Sequence, residues 1–399
     1  MACSLMVMTC ACVLAGCTTA VPSPHSSPAA AGPDLTTLSF PQLEGVYRQD
    51  GRAFVVTYQG WWLDLTSQQI RQLTPAGGGT FTYGPGWQDP APADGQLRFS
   101  TDAAGVPVRV TGTGPGRVPV DAVRLPVTER SVRFASPGAV LAGTLSIPPG
   151  PGPVHIRHPG IVILQGSGAL DRHFESISQE IYLSLGFAVL AFDKRGVAAS
   201  TGVFPGELAT PEVISIQATD AAAAARFMMG QPGVDPRQVG FDGNSQGGWV
   251  APLAAEHVPG LRFAILIASP AVTSGQQGVY AAFSGGSQYV PAQSDRAVDA
   301  AVRAAAGGYD PGPALAALHI PAIWMYGQLD RQVPVRVSVA NLAAYHNPDW
   351  TVIVLPGGSH GLIATRQGLD PELADATRFA PGYLAALRAW VAAHITFPR

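Results

Sequence analysis

A serine stands in Gly243-Asn244-Ser245-Gln246-Gly247, where an apolar strand pattern (Gln238 to Asp242) gives way to an amphipathic helical one (Gly248 to His257). A G-x-S-x-G at such a joint predicts a turn so tight that the serine takes strained backbone angles. The glycines leave no Cβ where strand and helix nearly touch, so the hydroxyl stands clear of the sheet edge. A serine hydroxyl is a poor nucleophile at neutral pH and needs a neutral imidazole to take its proton. His360, in Pro356-Gly-Gly-Ser-His-Gly361, and Asp330, in Gly327-Gln-Leu-Asp-Arg331, have the right chemistry. The acid would hold the imidazole in the correct tautomer and stabilise its charged form. Asp310 and Asp349 are weaker rivals for the acid, because neither follows a strand end, and His346 and His319 read as surface or helix-end residues.

Placing these groups together requires a particular scaffold. From Gly160 onward, apolar runs (Gly160–Leu164, Phe187–Phe192, Val239–Phe241, Phe263–Ala268, Ala322–Tyr326, Thr351–Leu355) alternate with helical stretches. The helical stretches are Phe174–Leu185, Val213–Met229, Gly248–His257, Val335–Tyr345 and Pro381–Ile395. Continuous apolar strands alternating with helices predict an α/β fold: a mostly parallel sheet covered on both faces. Active groups then gather beyond the carboxyl ends of the strands, and Ser245, Asp330 and His360 each follow one. Ser131–Phe134 and Gly143–Ile147 read as an opening antiparallel pair. The interval 271–318 carries no sheet strand and reads as an inserted helical lid. The order Ser, Asp, His belongs to the α/β-hydrolase arrangement.

An oxyanion needs backbone donors. Gln165-Gly166-Ser167-Gly168 ends the first core strand, and Ser167 N–H, with Gly168 as the alternative, is the expected first donor. The second is the N–H of Gln246, at a helix start whose dipole favours negative charge.

Two further segments carry a family resemblance: Gly166-Ser-Gly-Ala-Leu-Asp-Arg172 and Asp193-Lys-Arg-Gly-Val-Ala-Ala-Ser200. With the elbow, and from about Val127 to the C-terminus, they resemble bacterial serine esterases of the α/β-hydrolase superfamily. The resemblance implies hydrolysis of carboxylic esters through an acyl-enzyme, without a cofactor. Gln165 and Asn244 depart from it, standing where many relatives carry His. The first bears on how the oxyanion loop is pinned; the second changes a polar side chain inside the elbow. Asp193, Arg195, Asp171 and Arg172 are expected to fix loops through charged hydrogen bonds.

The 399 residues are enough for more than one structural unit. Only 13% are charged and the formal net charge is −3, which offers no electrostatic case for nucleic acid. All four cysteines (Cys3, Cys10, Cys12, Cys17) lie at the start, leaving the body without a disulfide or a thiolate metal site. No H-x-x-x-H or H-E-x-x-H occurs, and no metal is expected.

The apolar stretch 1–16 ends in Leu14-Ala15-Gly16-Cys17, although no Lys or Arg precedes it. It resembles the lipobox of bacterial lipoproteins, which implies a cleaved signal peptide and acylation of Cys17. Membrane attachment through that lipid alone, outside the cytoplasm, is then expected, with 17–33 as a Pro/Ser/Ala linker. The alternative is an apolar N-terminus on a cytoplasmic enzyme.

Residues 34–125 read as a small all-β module of short strands, followed by the α/β domain at 126–399. Tyr58, Trp61, Trp62, Phe81, Tyr83 and Trp87 are either its core or a platform for glycan or acyl groups. The expected substrate is a small-molecule ester of small to medium acyl chain. A peptidase or thioesterase on the same triad and a non-catalytic lipoprotein binding glycan or lipid remain as alternatives.

Overall fold

The computed structural model describes residues 38–150, 157–289 and 294–398. The expected signal peptide, Cys17 and the linker lie outside the described residues. No helix among the described residues is long and apolar enough to cross a membrane.

The β module is a closed barrel. After a one-turn helix α1 (Phe40–Leu43) come β1 (Gly45–Gln49), β2 (Arg52–Val56), β3 (Trp61–Asp64), β4 (Gln69–Gly77) and β5 (Thr80–Tyr83). The barrel continues with β6 (Gly95–Thr101), β7 (Pro107–Gly114) and β8 (Val118–Arg124), and β1 pairs antiparallel with both β2 and β8. Closure removes every sheet edge. Inward residues (Tyr47, Phe54, Trp62, Phe81, Leu97, Phe99) fill the interior. The outward residues Val46, Val55, Leu63 and Ile70 are buried as well, against the α/β domain. That is why Ala53–Val56 and Trp61–Leu65 run apolar without alternation, whereas β6, solvated on one side, alternates.

The α/β domain is one eight-stranded mixed sheet. Its strands are β9 (Thr128–Ser136), β10 (Ala139–Ile147), β11 (His158–Leu164), β12 (Ala188–Phe192), β13 (Val234–Asn244), β14 (Phe263–Ile267), β15 (Ala322–Gly327) and β16 (Trp350–Leu355). In space they run β9-β10-β12-β11-β13-β14-β15-β16. β9 and β10 are the expected antiparallel opening, β10 pairs antiparallel with β12, and all later pairs are parallel. This is the mostly parallel α/β sheet expected from the sequence.

Successive strand residues point to opposite faces. Val162 and Leu164 of β11 pack with α3 (Pro211–Met229) and α4 (Gly247–Ala255). Ile161 and Ile163 pack instead with α2 (Ser176–Leu185), α9 (Tyr383–His394) and the barrel. The barrel therefore completes one face of the sheet, and the module does not stand apart.

The chain leaves β11 for β12 on one side and then crosses to β13 on the other. The order thus reverses at β11, where a crevice opens beyond the strand ends. Between β14 and β15 the described residues of the interval 271–318 include α5 (Ser274–Ser284), α6 (Asp295–Ala304) and α7 (Gly312–Ala317); α8 (Val335–Ala343) follows β15.

Candidate active site

Ser245 sits between β13 and α4 with φ at +50°, a left-handed backbone that is uncommon for a residue with a side chain. Glycines make the turn feasible. A Cβ on Gly247 would come within 2.2 Å of the Leu164 carbonyl oxygen, and one on Gly243 within 2.8 Å of the Gly247 oxygen. Beneath the turn, Asn244 Nδ2 donates to Asp242 Oδ2 (2.9 Å), and the Tyr182 hydroxyl meets Asp242 Oδ1 (3.0 Å). Burial, with Glu175 adding to it, pushes the Asp242 carboxyl up to about 7. The departure at Asn244 thus has a structural use: its side chain stabilises a buried acid beneath the elbow.

His360 Nδ1 lies 2.8 Å from Asp330 Oδ2. The second oxygen of Asp330 accepts from the Gln332 and Val333 N–H groups (2.8 and 2.9 Å), which fixes the carboxylate. Burial lowers the His360 pKa, but the charge and hydrogen bond of Asp330 outweigh it and hold it above the ordinary value. Two of the three predicted groups are therefore joined directly. Among the described residues, the Ser245 hydroxyl makes no hydrogen bond to His360. Such bonds are commonly long or misaligned without substrate.

Ser167 and Ser245 line one cleft of about 380 Å³, shared with Gln246, Trp249, Ser274 and Gln277. The loop 165–168 passes beside Ser245: a Cβ on Gly166 would lie 3.4 Å from Ser245 Cβ. Among the described residues, neither the Ser167 nor the Gln246 N–H meets a protein acceptor.

The loop is pinned from below. Gln165 Nε2 donates to the Phe192 carbonyl (2.7 Å) and to that of Asp171 (3.3 Å). Arg172 grips Asp193 through Nε (2.9 Å) and Nη2 (2.6 Å), and Arg195 pairs with Asp220. These are the loop-fixing roles expected of Asp193, Arg195 and Arg172. Asp171 caps its own turn, its side chain accepting from the His173 N–H (2.9 Å).

The insert contributes a wall that is tied to the acid loop. Tyr280 donates to the Asp330 carbonyl (2.7 Å), Gln277 to that of Gln332 (2.8 Å), and Ser284 to that of Arg331. The barrel reaches the site twice. Gln59 donates to the His173 carbonyl (2.9 Å) while Tyr58 stacks on the His173 ring (centroids 4.0 Å apart). On the other side, Ile70 N–H donates to Thr377 O (3.0 Å) and Phe379 N–H to Gln68 O (3.0 Å). Phe379 in turn bridges Ile363, just beyond His360.

Sequence reasoning missed these barrel contacts, because they join residues far apart in the chain. It also missed Lys194 and Glu175. Lys194 lies inside the Asp193–Ser200 segment, and only burial singles it out.

A family model described as X-Pro dipeptidyl-peptidase (S15 family) matches residues 155–306. That stretch holds Ser167 and Ser245 and ends before Asp330 and His360. Two uncharacterized proteins of Mycobacterium tuberculosis, from strains CDC 1551 / Oshkosh and H37Rv, are 28% identical over 218 residues, or 54% of this chain. The chain spans 65% of the length of these curated relatives. Among solved structures, the chain is similar to a Pyrococcus furiosus esterase (15% identity, 67% of this chain and 92% of that one, TM-score 0.46). It is also similar to an alpha/beta hydrolase from Penicillium sp. (17% identity, 68% of this chain and 100% of that one, TM-score 0.47).

Proposed function

We propose that the protein is a serine hydrolase that cleaves carboxylic esters of small to medium acyl chain. The observation that carries this reading is the left-handed Ser245, at an elbow opening on a cleft that it shares with free backbone donors. In the proposed reaction the Ser245 oxygen attacks the ester carbonyl as His360 Nε2 takes the hydroxyl proton. The carbonyl oxygen becomes an oxyanion held by the N–H groups of Ser167 and Gln246. The alkoxide departs with the proton from His360 and leaves an acyl-serine. Water, deprotonated by the same imidazole, then releases the acid and restores the serine.

Hydrolysis of p-nitrophenyl acetate and butyrate, lost in Ser245→Ala, tests the proposal. Undiminished turnover in that variant refutes it. Stoichiometric labelling of Ser245 by a fluorophosphonate separates the enzyme from a non-catalytic binding protein.

A second reading, peptide hydrolysis, is favoured by the match of residues 155–306 to the dipeptidyl-peptidase family model. Turnover of X-Pro p-nitroanilides faster than of the butyrate ester would select it. We further propose that Cys17 carries a lipid anchoring the enzyme in the cell envelope. Cys17→Ala should then move the protein from the membrane to the soluble fraction; an unchanged distribution removes the anchor.

A further inference from the structure

The catalytic steps give no role to the buried ammonium of Lys194. Lys194 lies just past the end of β12, with only 7% of its surface exposed. Its ammonium donates to the carbonyl oxygens of Gly166 and Gly168, the second at 3.0 Å, and these two residues flank Ser167. Its backbone N–H donates to the Leu170 carbonyl (3.2 Å), so the residue holds the loop at three carbonyls.

In a trans peptide unit the C=O and the next N–H point in opposite directions. A Gly166 carbonyl turned down onto a buried ammonium therefore turns the Ser167 N–H the other way. That way lies the cleft, since Ser167 and Ser245 share its lining. Gly168, at φ +101°, lets the chain turn back so that its own carbonyl meets the same cation.

We propose that Lys194 is the positioning residue of the oxyanion loop, fixing the peptide between Gly166 and Ser167 so that the Ser167 N–H serves as the donor. This rests on the serine-hydrolase reading of Ser245 and deepens it by choosing between Ser167 and Gly168. An ammonium on the carbonyl also polarises the peptide unit, which strengthens the opposite N–H as a donor.

The surroundings agree. Burial lowers the Lys194 pKa to about 8, with the nearby Glu175 carboxylate pulling it back up. Glu175 is itself pushed up to about 7 by burial, against the pull of the Gly166 N–H, Lys194 and His360. The cation thus has a counter-charge on α2's entry loop and sits close to losing its proton in mildly alkaline solution.

The test compares wild type, Lys194→Met and Lys194→Gln on p-nitrophenyl butyrate, with kcat, KM, thermal melting and a pH profile for each. Expected is a kcat lower by about tenfold or more in Lys194→Met, since loss of one oxyanion donor costs about a hundredfold or more. KM should stay within about twofold, and the wild-type fall in rate above about pH 8 should disappear in both variants. If Lys194→Met does not fold, Lys194→Gln, which keeps a donor without charge, carries the test through its pH profile. Unchanged kcat, or lower melting with the alkaline limb unmoved, overturns the proposal while leaving Ser245 catalysis intact. A wild-type protein without Ser245-dependent turnover overturns both.

Discussion

Replacing Asp330 by Asn probes the reasoning most closely, because the fold should scarcely notice it. The side chain is buried (2% exposed), and one of its oxygens accepts from the Gln332 and Val333 N–H groups. An Asn oxygen can keep both bonds, so thermal melting should move little. The other oxygen is replaced by an amide N–H₂ that faces His360 Nδ1, where the carboxylate stood 2.8 Å away. A donor there forces Nδ1 to accept, places the ring proton on Nε2, and leaves no base for the Ser245 hydroxyl. In an established serine protease the equivalent change lowers kcat about 10⁴-fold. A loss of about 10³ to 10⁴ in kcat is expected here, or about 4 to 5.5 kcal/mol of transition-state stabilisation at roughly 1.36 kcal/mol per decade.

The same variant moves the pH profile in a defined direction. Activity needs neutral His360, so the wild-type rate should rise with pH through a value above 6.5, where Asp330 holds the imidazole. Without the carboxylate, burial dominates and the acid limb should shift to lower pH. The assay is p-nitrophenyl butyrate turnover from pH 5 to 9, alongside thermal melting. A folded Asp330→Asn enzyme within tenfold of wild type, or one with an unmoved acid limb, would falsify the assigned role of the pair.

Arg172→Ala should strip the buried Asp193 carboxylate (1% exposed) of its cation, leaving it only the Arg172 and Ala199 backbone N–H donors, and cost about 3 kcal/mol in chemical denaturation. Burial raises the Asp193 pKa, but the Arg172 bonds overcome it and hold it low, so that contribution is present above the unfolded carboxylate pKa. It fades only in acid, and the difference between variant and wild type should narrow as pH falls through the folded value. Glu44, pushed up to about 7 by burial and then by Glu129, has the opposite sign: the folded state keeps its proton longer than the unfolded one. Stability should decline from about pH 4.5 to 7, and Glu44→Gln should melt higher than wild type at pH 8 with little difference at pH 4. Identical melting at pH 8 would count against a raised Glu44 pKa in the folded state.

Local pattern alone was enough to place Ser245, since a strand, two flanking glycines and a helix are contiguous in sequence. The positions of Asp330 and His360 at strand ends were also legible, because continuous apolar runs mark buried parallel strands wherever they occur. The same patterns marked the antiparallel opening pair and the helices, to within a few residues at their ends.

Contacts between distant segments were beyond such reading. Short strands in residues 34–125 were legible, but not that eight would close into a barrel. Nor was it evident that Val46, Val55 and Leu63 would be buried on its outer side against the sheet. The aromatic residues left open between core and binding platform divide in space: Trp62, Phe81 and Tyr83 fill the barrel, while Tyr58 stacks on His173 in the α/β domain.

Lys194 shows why the limit is physical. A lysine between Asp193 and Arg195 reads as one more polar residue after a strand. Only the packing that removes its ammonium from water and turns two carbonyls onto it makes it part of the site. Period and spacing report what each segment prefers by itself, whereas burial and the direction of a peptide unit depend on which other segments arrive beside it.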